Sequence, residues 1–165
     1  MKEKQYDRTK ACEYAKKWAL KRNPKYYNFD AVGGDCTSFI SQCIYEGSKV
    51  MNYMKETGWY YINGNNKSPS WSGVEFLCKF LINNKKAGPY GKQVEARETE
   101  LGDIVQLSFD GEKYAHSLII VKKEDMTDLK KISIASHTFD TFNKKISEYN
   151  FKKIRFIHII GVREY

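Results

Sequence analysis

Gly33-Gly-Asp-Cys-Thr-Ser-Phe-Ile-Ser-Gln-Cys43 places a cysteine directly after two glycines and an aspartate. The pattern predicts a loop that ends at Asp35 and a helix that begins at Cys36 and stops near Gly47. We expect the Asp35 carboxylate to cap this helix by accepting hydrogen bonds from backbone N–H groups of its first turn. A thiol in that turn lies near unpaired N–H groups and the positive end of the helix dipole, which favour the thiolate. Cys36 is therefore a candidate nucleophile.

Helical periodicity continues on both sides of this stretch. Apolar residues at spacings of three and four predict a helix from about Asp7 to Arg22, which Asn23-Pro24 ends. A second stripe of the same kind predicts a helix from about Ser72 to Asn83. The first half of the chain is thus predicted to be mainly helical.

Beyond Gly88-Pro89 the apolar period changes to two, which is typical of strands. Asp110-Gly111 separates two of these segments and predicts a tight hairpin turn. Helices followed by strands predict an α+β fold in which a helical layer packs on an antiparallel sheet. No Pro/Gly/Ser linker divides the chain, so we predict one domain spanning residues 1–165. The predicted strands are Gln93–Arg97, Asp103–Ser108, Lys113–Val121, Lys131–His137 and Arg155–Arg163, with a turn near Asp125–Asp128.

The composition narrows the class of protein. With 41% hydrophobic residues, the 165-residue chain is able to bury a core and is not disordered. The net charge of +8 comes mainly from dispersed lysine pairs, which are typical of a solvated surface; a basic face for an anionic partner is the alternative. No arginine-rich block or aromatic–basic motif is present, so no nucleic acid is expected as a partner.

The sequence also bears on compartment and cofactors. No apolar run approaches the ~18 residues of a membrane helix, and no apolar signal segment follows the polar N-terminus. The chain as given is expected to be cytoplasmic, or extracytoplasmic if it is a domain of an exported protein. The four cysteines form no CxxC pair and the three histidines are widely spaced, so we expect no metal site and no cofactor. The oligomeric state is left open.

Three further polar residues are candidates to complete a site around Cys36. His116 lies in an alternating segment and is the candidate base; a hydrogen-bonded structural histidine is the alternative. His137 ends the next predicted strand, and antiparallel pairing of the two strands would let it hydrogen-bond His116 and fix its tautomer. Asp140 is the alternative for this third role. For Cys36 itself the alternative is a core position, because it continues the apolar stripe of its helix.

Aromatic residues cluster on both sides of the cysteine stretch. Tyr27 precedes it, and Trp59 and Trp71 follow it across a segment without a clear period. These rings, together with Asp35, could line a substrate groove. Packing in the core is the alternative for the rings.

Gly-Asp-Cys-Thr-x-Phe-x-Ser-Gln, from Gly34 to Gln42, resembles the signature of the bacterial putative amidase domain family. The resemblance spans about Tyr6 to the C-terminus. Members of this family are papain-like cysteine hydrolases related to NlpC-type and CHAP amidases. The resemblance therefore implies a papain-like fold whose N-terminal helices pack on an antiparallel, partly barrel-like sheet. Further elements match in order at Tyr27-Asn28-Phe29, Ser70-Trp71, Leu101–Val105, His116 and Ser136-His137-Thr138.

The resemblance also implies roles for the candidate residues. Cys36 would be the nucleophile, His116 the base and His137 the polar third member. The expected activity is hydrolysis of an amide in a peptide or peptidoglycan-like substrate, through a thioester on Cys36. Acyl transfer to an amine by the same residues is one alternative, and a binding module that has lost activity is another.

Overall fold

The computed structural model describes residues 1–124 and 128–165 and confirms the predicted combination of helices with an antiparallel sheet. The helices are α1 (Arg8–Trp18), α2 (Cys36–Ser48), α3 (Pro69–Ser72) and α4 (Val74–Asn83). The strands are β1 (Glu3–Lys4), β2 (Tyr61–Asn63), β3 (Asn66–Lys67), β4 (Gly88–Val94), β5 (Ile104–Ser108), β6 (His116–Lys123), β7 (Ile132–Ser136), β8 (Thr141–Lys145) and β9 (Lys153–Arg163). Most of the turn predicted near Asp125–Asp128 falls outside the described residues. Within the described ranges, no helix has the length and apolarity needed to cross a bilayer.

The main sheet of the described residues runs in the order β1-β9-β5-β6-β7-β8, with β4 added along β9, and every pairing is antiparallel. β9 is the longest strand and pairs with both β4 and β5. In the described residues β8 does not pair with β4, so the sheet is open and the expected barrel-like closure is not observed. β2 and β3 form a separate hairpin.

α2 lies at the centre of the fold, in contact with α1, α3 and β6. All of its residues except Tyr45 and Glu46 are buried. Its polar groups find partners inside the protein: Ser41 Oγ donates to the Trp71 carbonyl at 2.8 Å and accepts from Trp59 Nε1 at 3.0 Å. A helix that is covered on nearly every side needs partners for its buried polar side chains, and these hydrogen bonds supply them.

α2 extends beyond its predicted end. It continues through Gly47 to Ser48, and Lys49 closes it in the left-handed conformation with φ 56°. A Cβ on Gly47 would overlap the ring of Tyr6, so this glycine permits close packing of two segments instead of ending the helix.

Other boundaries differ from the periodic prediction for local reasons. α1 ends at Trp18, and the predicted third helix is interrupted at Gly73, which has the extended angles φ −108° and ψ 127°. β4 precedes its predicted position because Ala96–Glu98 form a 3-10 turn. The Asp110-Gly111 turn is confirmed, since the Asp110 carboxylate accepts two backbone N–H groups that follow it. The remaining predicted strands are confirmed as β5, β6, β7 and β9, whereas β1, β2, β3 and β8 were not predicted.

A buried carboxylate ties α1 to the sheet. Asp103 has no exposed surface, and its two oxygens accept four hydrogen bonds. Arg8 Nη1 and the Ile159 N–H donate to Oδ1 at 2.7 and 3.0 Å. The Glu100 N–H and His158 Nδ1 donate to Oδ2 at 2.8 and 2.7 Å. A buried carboxylate is tolerated because its donors are in place.

Replacing Asp103 by asparagine should destabilise the protein, because the new amide group faces donors and the Arg8 charge loses its partner. We expect Asp103→Asn to lower the free energy of unfolding by about 3 kcal/mol, measured by urea denaturation. Glu100→Gln is the matched control, since the Glu100 side chain is 60% exposed and lies 3.6 Å from Arg8. Glu100→Gln should lower the free energy of unfolding by less than about 1 kcal/mol. Equal losses in the two variants would contradict this account.

Candidate active site

The loop before α2 is shaped by two glycines. Gly33 and Gly34 have φ values of 86° and 98°, which residues with a Cβ rarely adopt. A Cβ on Gly34 would lie 3.1 Å from Thr138 Oγ1, and that hydroxyl accepts a hydrogen bond from the Asp35 N–H at 3.2 Å. The loop therefore passes close to the turn between β7 and β8 before the helix begins at Cys36, as predicted.

Cys36 packs against the start of β6. The Ser117 N–H hydrogen-bonds to the Cys36 sulfur, and Thr37 Oγ1 lies 3.8 Å from it. The hydroxyls of Thr37 and Ser117 are joined by a 2.9 Å hydrogen bond. These contacts bring Cys36 to the start of the strand that carries His116, the residue before Ser117. Among the described residues, no hydrogen bond joins the sulfur to the imidazole.

Burial sets the protonation of the Cys36 thiol, which is 6% exposed. Burial raises the pKa of Cys36, although hydrogen bonds from Ser117 and Thr37 act in the opposite direction. The expectation of a thiolate at the helix start is therefore wrong for the free protein, because loss of solvent outweighs the helix terminus. The thiol needs a base in order to react.

His116 is the first residue of β6 and is equally buried. Its ring lies 6.3 Å from the ring of Phe109 and 5.9 Å from that of Tyr149, measured between centroids. Burial lowers the pKa of His116 to about 4, and the positive charge of Lys144 acts in the same direction. The imidazole is thus neutral near pH 7, which is the form that accepts a proton.

Ser136 is the hydrogen-bond partner of His116, and the sequence reasoning missed this role. Its Oγ lies 3.2 Å from His116 Nε2, 2.7 Å from the His137 carbonyl and 3.2 Å from the Ser117 carbonyl. The hydroxyl has one proton, which the nearby carbonyls attract, so Oγ accepts from Nε2–H of the neutral imidazole. This arrangement leaves the lone pair on His116 Nδ1.

His137 does not hydrogen-bond His116, contrary to prediction. Its Nδ1 lies 2.6 Å from Asp35 Oδ2, its Nε2 lies 2.7 Å from the Trp18 carbonyl, and its ring stacks on Phe39 at 4.0 Å between centroids. The carboxylate and the carbonyl are both acceptors, so each ring nitrogen of His137 faces a buried acceptor. The reason is strand alternation: Ser136 turns toward His116, and the next residue turns toward α1 and α2.

Asp35 and Asp140 also differ from their predicted roles. Asp35 makes no side-chain bond to the first turn of α2; its carboxylate is 1% exposed and accepts from the Phe29 N–H at 2.9 Å and from His137. It is therefore not free to bind substrate. Asp140 accepts two hydrogen bonds from Arg22, at 2.7 and 2.8 Å, and does not orient His116. Arg22 also lies 3.6 Å from Asp35, so these charges together fasten the loop before Cys36.

Most of the predicted groove residues belong to the core. Trp59 and Trp71 have no exposed surface, and their rings pack 5.1 Å apart. They support α2 from behind, which corrects their assignment to a substrate groove. Tyr27 is 50% exposed and packs edge-on against Phe29, so it alone of the three rings remains available to a ligand.

The buried pair of Asp35 and His137 should be essential for stability. We expect Asp35→Asn to lower the free energy of unfolding by about 3 kcal/mol, because it breaks a buried pair and leaves the His137 ring and the Phe29 N–H without their carboxylate partner. Asp30→Asn is the matched control, since Asp30 also binds Arg22 but is 42% exposed, and it should cost less than about 1 kcal/mol. Chemical denaturation of both variants gives the comparison. A smaller loss for Asp35→Asn than for Asp30→Asn would refute the role assigned to the pair.

The protonation of His116 can be tested without a substrate. In ¹⁵N NMR spectra, His116 should remain neutral and protonated on Nε2 until the pH falls to about 4, because burial and Lys144 disfavour the cation. The unfolded chain takes up this proton near pH 6.5, so His116 makes the protein less stable as the pH falls through that window. Lys144→Gln should raise the pH midpoint of the His116 titration, because it removes the charge that disfavours the cation, and Lys145→Gln should not. A midpoint near 6.5 in the unaltered protein would contradict the burial argument.

Comparisons with known proteins identify the family of the chain. Residues 5–160 match the model of a family described as "Putative amidase domain". Over 131 residues the chain is 35% identical to the uncharacterized protein YhbB of Bacillus subtilis (strain 168), covering 73% of this chain and 38% of that protein. The chain thus spans well under half of that relative. No solved structure matches it. The family description indicates amide hydrolysis, and the chain belongs to the putative amidase domain family.

Proposed function

We propose that the protein is a cysteine-dependent amidase or peptidase that hydrolyses an amide bond through a thioester on Cys36. The observation that carries the proposal is the contact between Cys36 and the start of β6, where a neutral His116 is oriented by Ser136. A nucleophile, a neutral base and a group that orients the base are the parts that nucleophilic amide cleavage needs. Kinship with papain-like, NlpC-type and CHAP amidases is part of the same proposal.

The reaction begins with proton transfer within this site. His116 Nδ1 takes the thiol proton as Cys36 Sγ attacks the amide carbon, and negative charge develops on the carbonyl oxygen. The Cys36 N–H at the start of α2 is a donor for this oxygen. Collapse breaks the C–N bond, and the amine leaves with the proton held by His116. Water, deprotonated by the same imidazole, then attacks the thioester and releases the acid and the thiol.

Substrate binding is expected to complete the alignment of the two groups. In the described residues of the free protein, Cys36 contacts the N–H of Ser117, the residue after His116, and no hydrogen bond joins its sulfur to the imidazole. Catalytic hydrogen bonds are often long in free enzymes and tighten only in the complex. In the free protein both the thiol and the imidazole are neutral. Proton transfer between them is expected when a substrate places its carbonyl carbon next to the sulfur.

Two sets of residues act as positioning residues in this proposal. Ser136 selects the tautomer in which His116 Nδ1 accepts the proton. Asp35 and His137 fix the backbone in front of Cys36, so His137 acts through Asp35 and not as a partner of His116. Ser136 orients the base and the other pair positions the nucleophile, and neither set touches the reacting atoms.

The proposed substrate is a peptide or a peptidoglycan-like peptide. Exposed rings flank the site: Tyr27 on the loop before α2, Phe109 beside His116, and Phe139 on the turn after β7. They are 50%, 43% and 91% exposed, and offer apolar surface to an extended ligand. The net charge of +8 is compatible with an anionic polymer.

Substitutions of the three site residues should separate their roles. On muropeptides and on a pool of synthetic peptides, Cys36→Ala should abolish amide cleavage, because the nucleophile is lost, and His116→Ala should slow it about 10²–10⁴-fold. Ser136→Ala should lower kcat about 10-fold, with both tautomers of His116 visible by ¹⁵N NMR, because it removes only orientation. Cleavage is followed by mass spectrometry of the products.

The same assay decides between the proposal and its competitors. Acid quenching should trap an acyl group on Cys36 that hydroxylamine removes, as expected for a thioester. Added glycinamide should not divert the product if water is the natural acceptor; quantitative capture by the amine would make the protein an acyltransferase. Retention of full cleavage in Cys36→Ala would exclude a cysteine mechanism. Absence of cleavage and of any acyl adduct, with both substrate sets, would favour a binding module.

A further inference from the structure

Lys144 places a positive charge beside the candidate site. It lies on β8, and its Nζ is 4.1 Å from the centre of the Tyr149 ring. The ring of His116 is on the same tyrosine, 5.9 Å away between centroids. Burial and then the charge of Glu148 raise the pKa of Tyr149 to about 12, and Cys36 would act in the same direction if it were ionised, so this neutral ring is also close to the Cys36 sulfur. Lys144, the base and the nucleophile therefore surround one aromatic side chain.

The charge of Lys144 has no acidic partner within ion-pair distance in the part of the chain that the structure describes. Glu148 is close in sequence, but its carboxylate accepts a hydrogen bond from the Lys145 N–H at 2.9 Å. Arg22, a cation near the cysteine loop, is already paired with Asp30 and Asp140. A partly buried ammonium held over a ring face and left without a counter-ion attracts anions.

We propose that Lys144 binds a carboxylate of the substrate next to the scissile amide, so that the preferred substrates are peptides with an acidic group at that position. The inference rests on the proposed function, because Cys36 must be the group that reacts. The carboxylate is the shared chemistry, whether it belongs to an acidic side chain or to a chain terminus.

Binding of a carboxylate at Lys144 would also change the proposed base. Lys144 disfavours the cationic form of His116, in addition to burial. A bound carboxylate offsets that charge, so His116 becomes a stronger base while an acidic substrate is present. A substrate carboxylate would therefore favour both the binding of the substrate and the transfer of the proton to His116.

Two alkylating reagents test the proposal directly at Cys36. Iodoacetate and iodoacetamide transfer groups of nearly equal size to sulfur and expel iodide, but only iodoacetate carries a carboxylate. The rates of the two reagents at Cys36 are measured by peptide mapping, so that the other thiols do not contribute. The rate with iodoacetate divided by the rate with iodoacetamide should fall at least ~3-fold in Lys144→Gln, because the attracting charge is gone. High salt should lower the ratio of the unaltered protein in the same direction.

Matched variants control this experiment. Lys145→Gln removes an equal charge from the next residue of β8, whose side chain points to the other face of the strand, and should leave the ratio unchanged. Lys144→Arg keeps the charge and should keep the ratio. Equal ratios in Lys144→Gln and the unaltered protein would overturn the proposal for Lys144 alone. His116→Ala should slow the alkylation of Cys36 by both reagents; an unchanged rate in that variant would instead count against the proposed function.

Peptide substrates then identify the source of the carboxylate. Two pairs are compared by mass spectrometry: peptides with a free or an amidated C-terminus, and peptides with glutamate or glutamine. In at least one pair, the unaltered protein should cleave the peptide with the carboxylate faster than its neutral counterpart. Lys144→Gln should remove this preference, and the pair in which it does so identifies the source of the carboxylate. A preference that survives Lys144→Gln in both pairs would place the recognition of acid elsewhere.

Discussion

The buried hydrogen bond between Asp35 and His137 is the interaction on which the site depends. Asp35 is the last residue before α2, and His137 directly follows β7, so one 2.6 Å contact joins the central helix to the sheet. Removing these polar groups from water is costly, and the structure offsets this cost with further polar partners. The Phe29 N–H donates to Asp35, the Trp18 carbonyl accepts from His137, and Arg22 stands 3.6 Å from the carboxylate.

β7 serves two networks because its side chains alternate. Ser136 faces His116 on one side, and His137 faces Asp35 and Phe39 on the other. The strand thus orients the candidate base and, through the next residue, fastens the loop that carries the candidate nucleophile. A shift of β7 by one residue would exchange these faces and break both networks.

Burial gives the site its resting state. It raises the pKa of Cys36 and lowers that of His116, so both groups are neutral in the free protein. A charged pair would be more reactive toward any electrophile that reached it. In the proposed mechanism, neutral partners would delay the proton transfer until an amide is bound, and a substrate carboxylate at Lys144 would favour the transfer further.

The sequence by itself determined the elements with strong local signals. Gly-Gly-Asp before Cys36 sets the helix start, the Asp110-Gly111 pair sets a hairpin, and alternating residues set the strand of His116, because turn chemistry and periodicity act over a few residues. Only the tertiary structure decided what each side chain meets. His137 found Asp35 instead of His116, Ser136 took the orienting position, and Trp59 and Trp71 entered the core. The thiol became neutral for the same reason: burial and partners across the fold outweigh the local effect of a helix terminus.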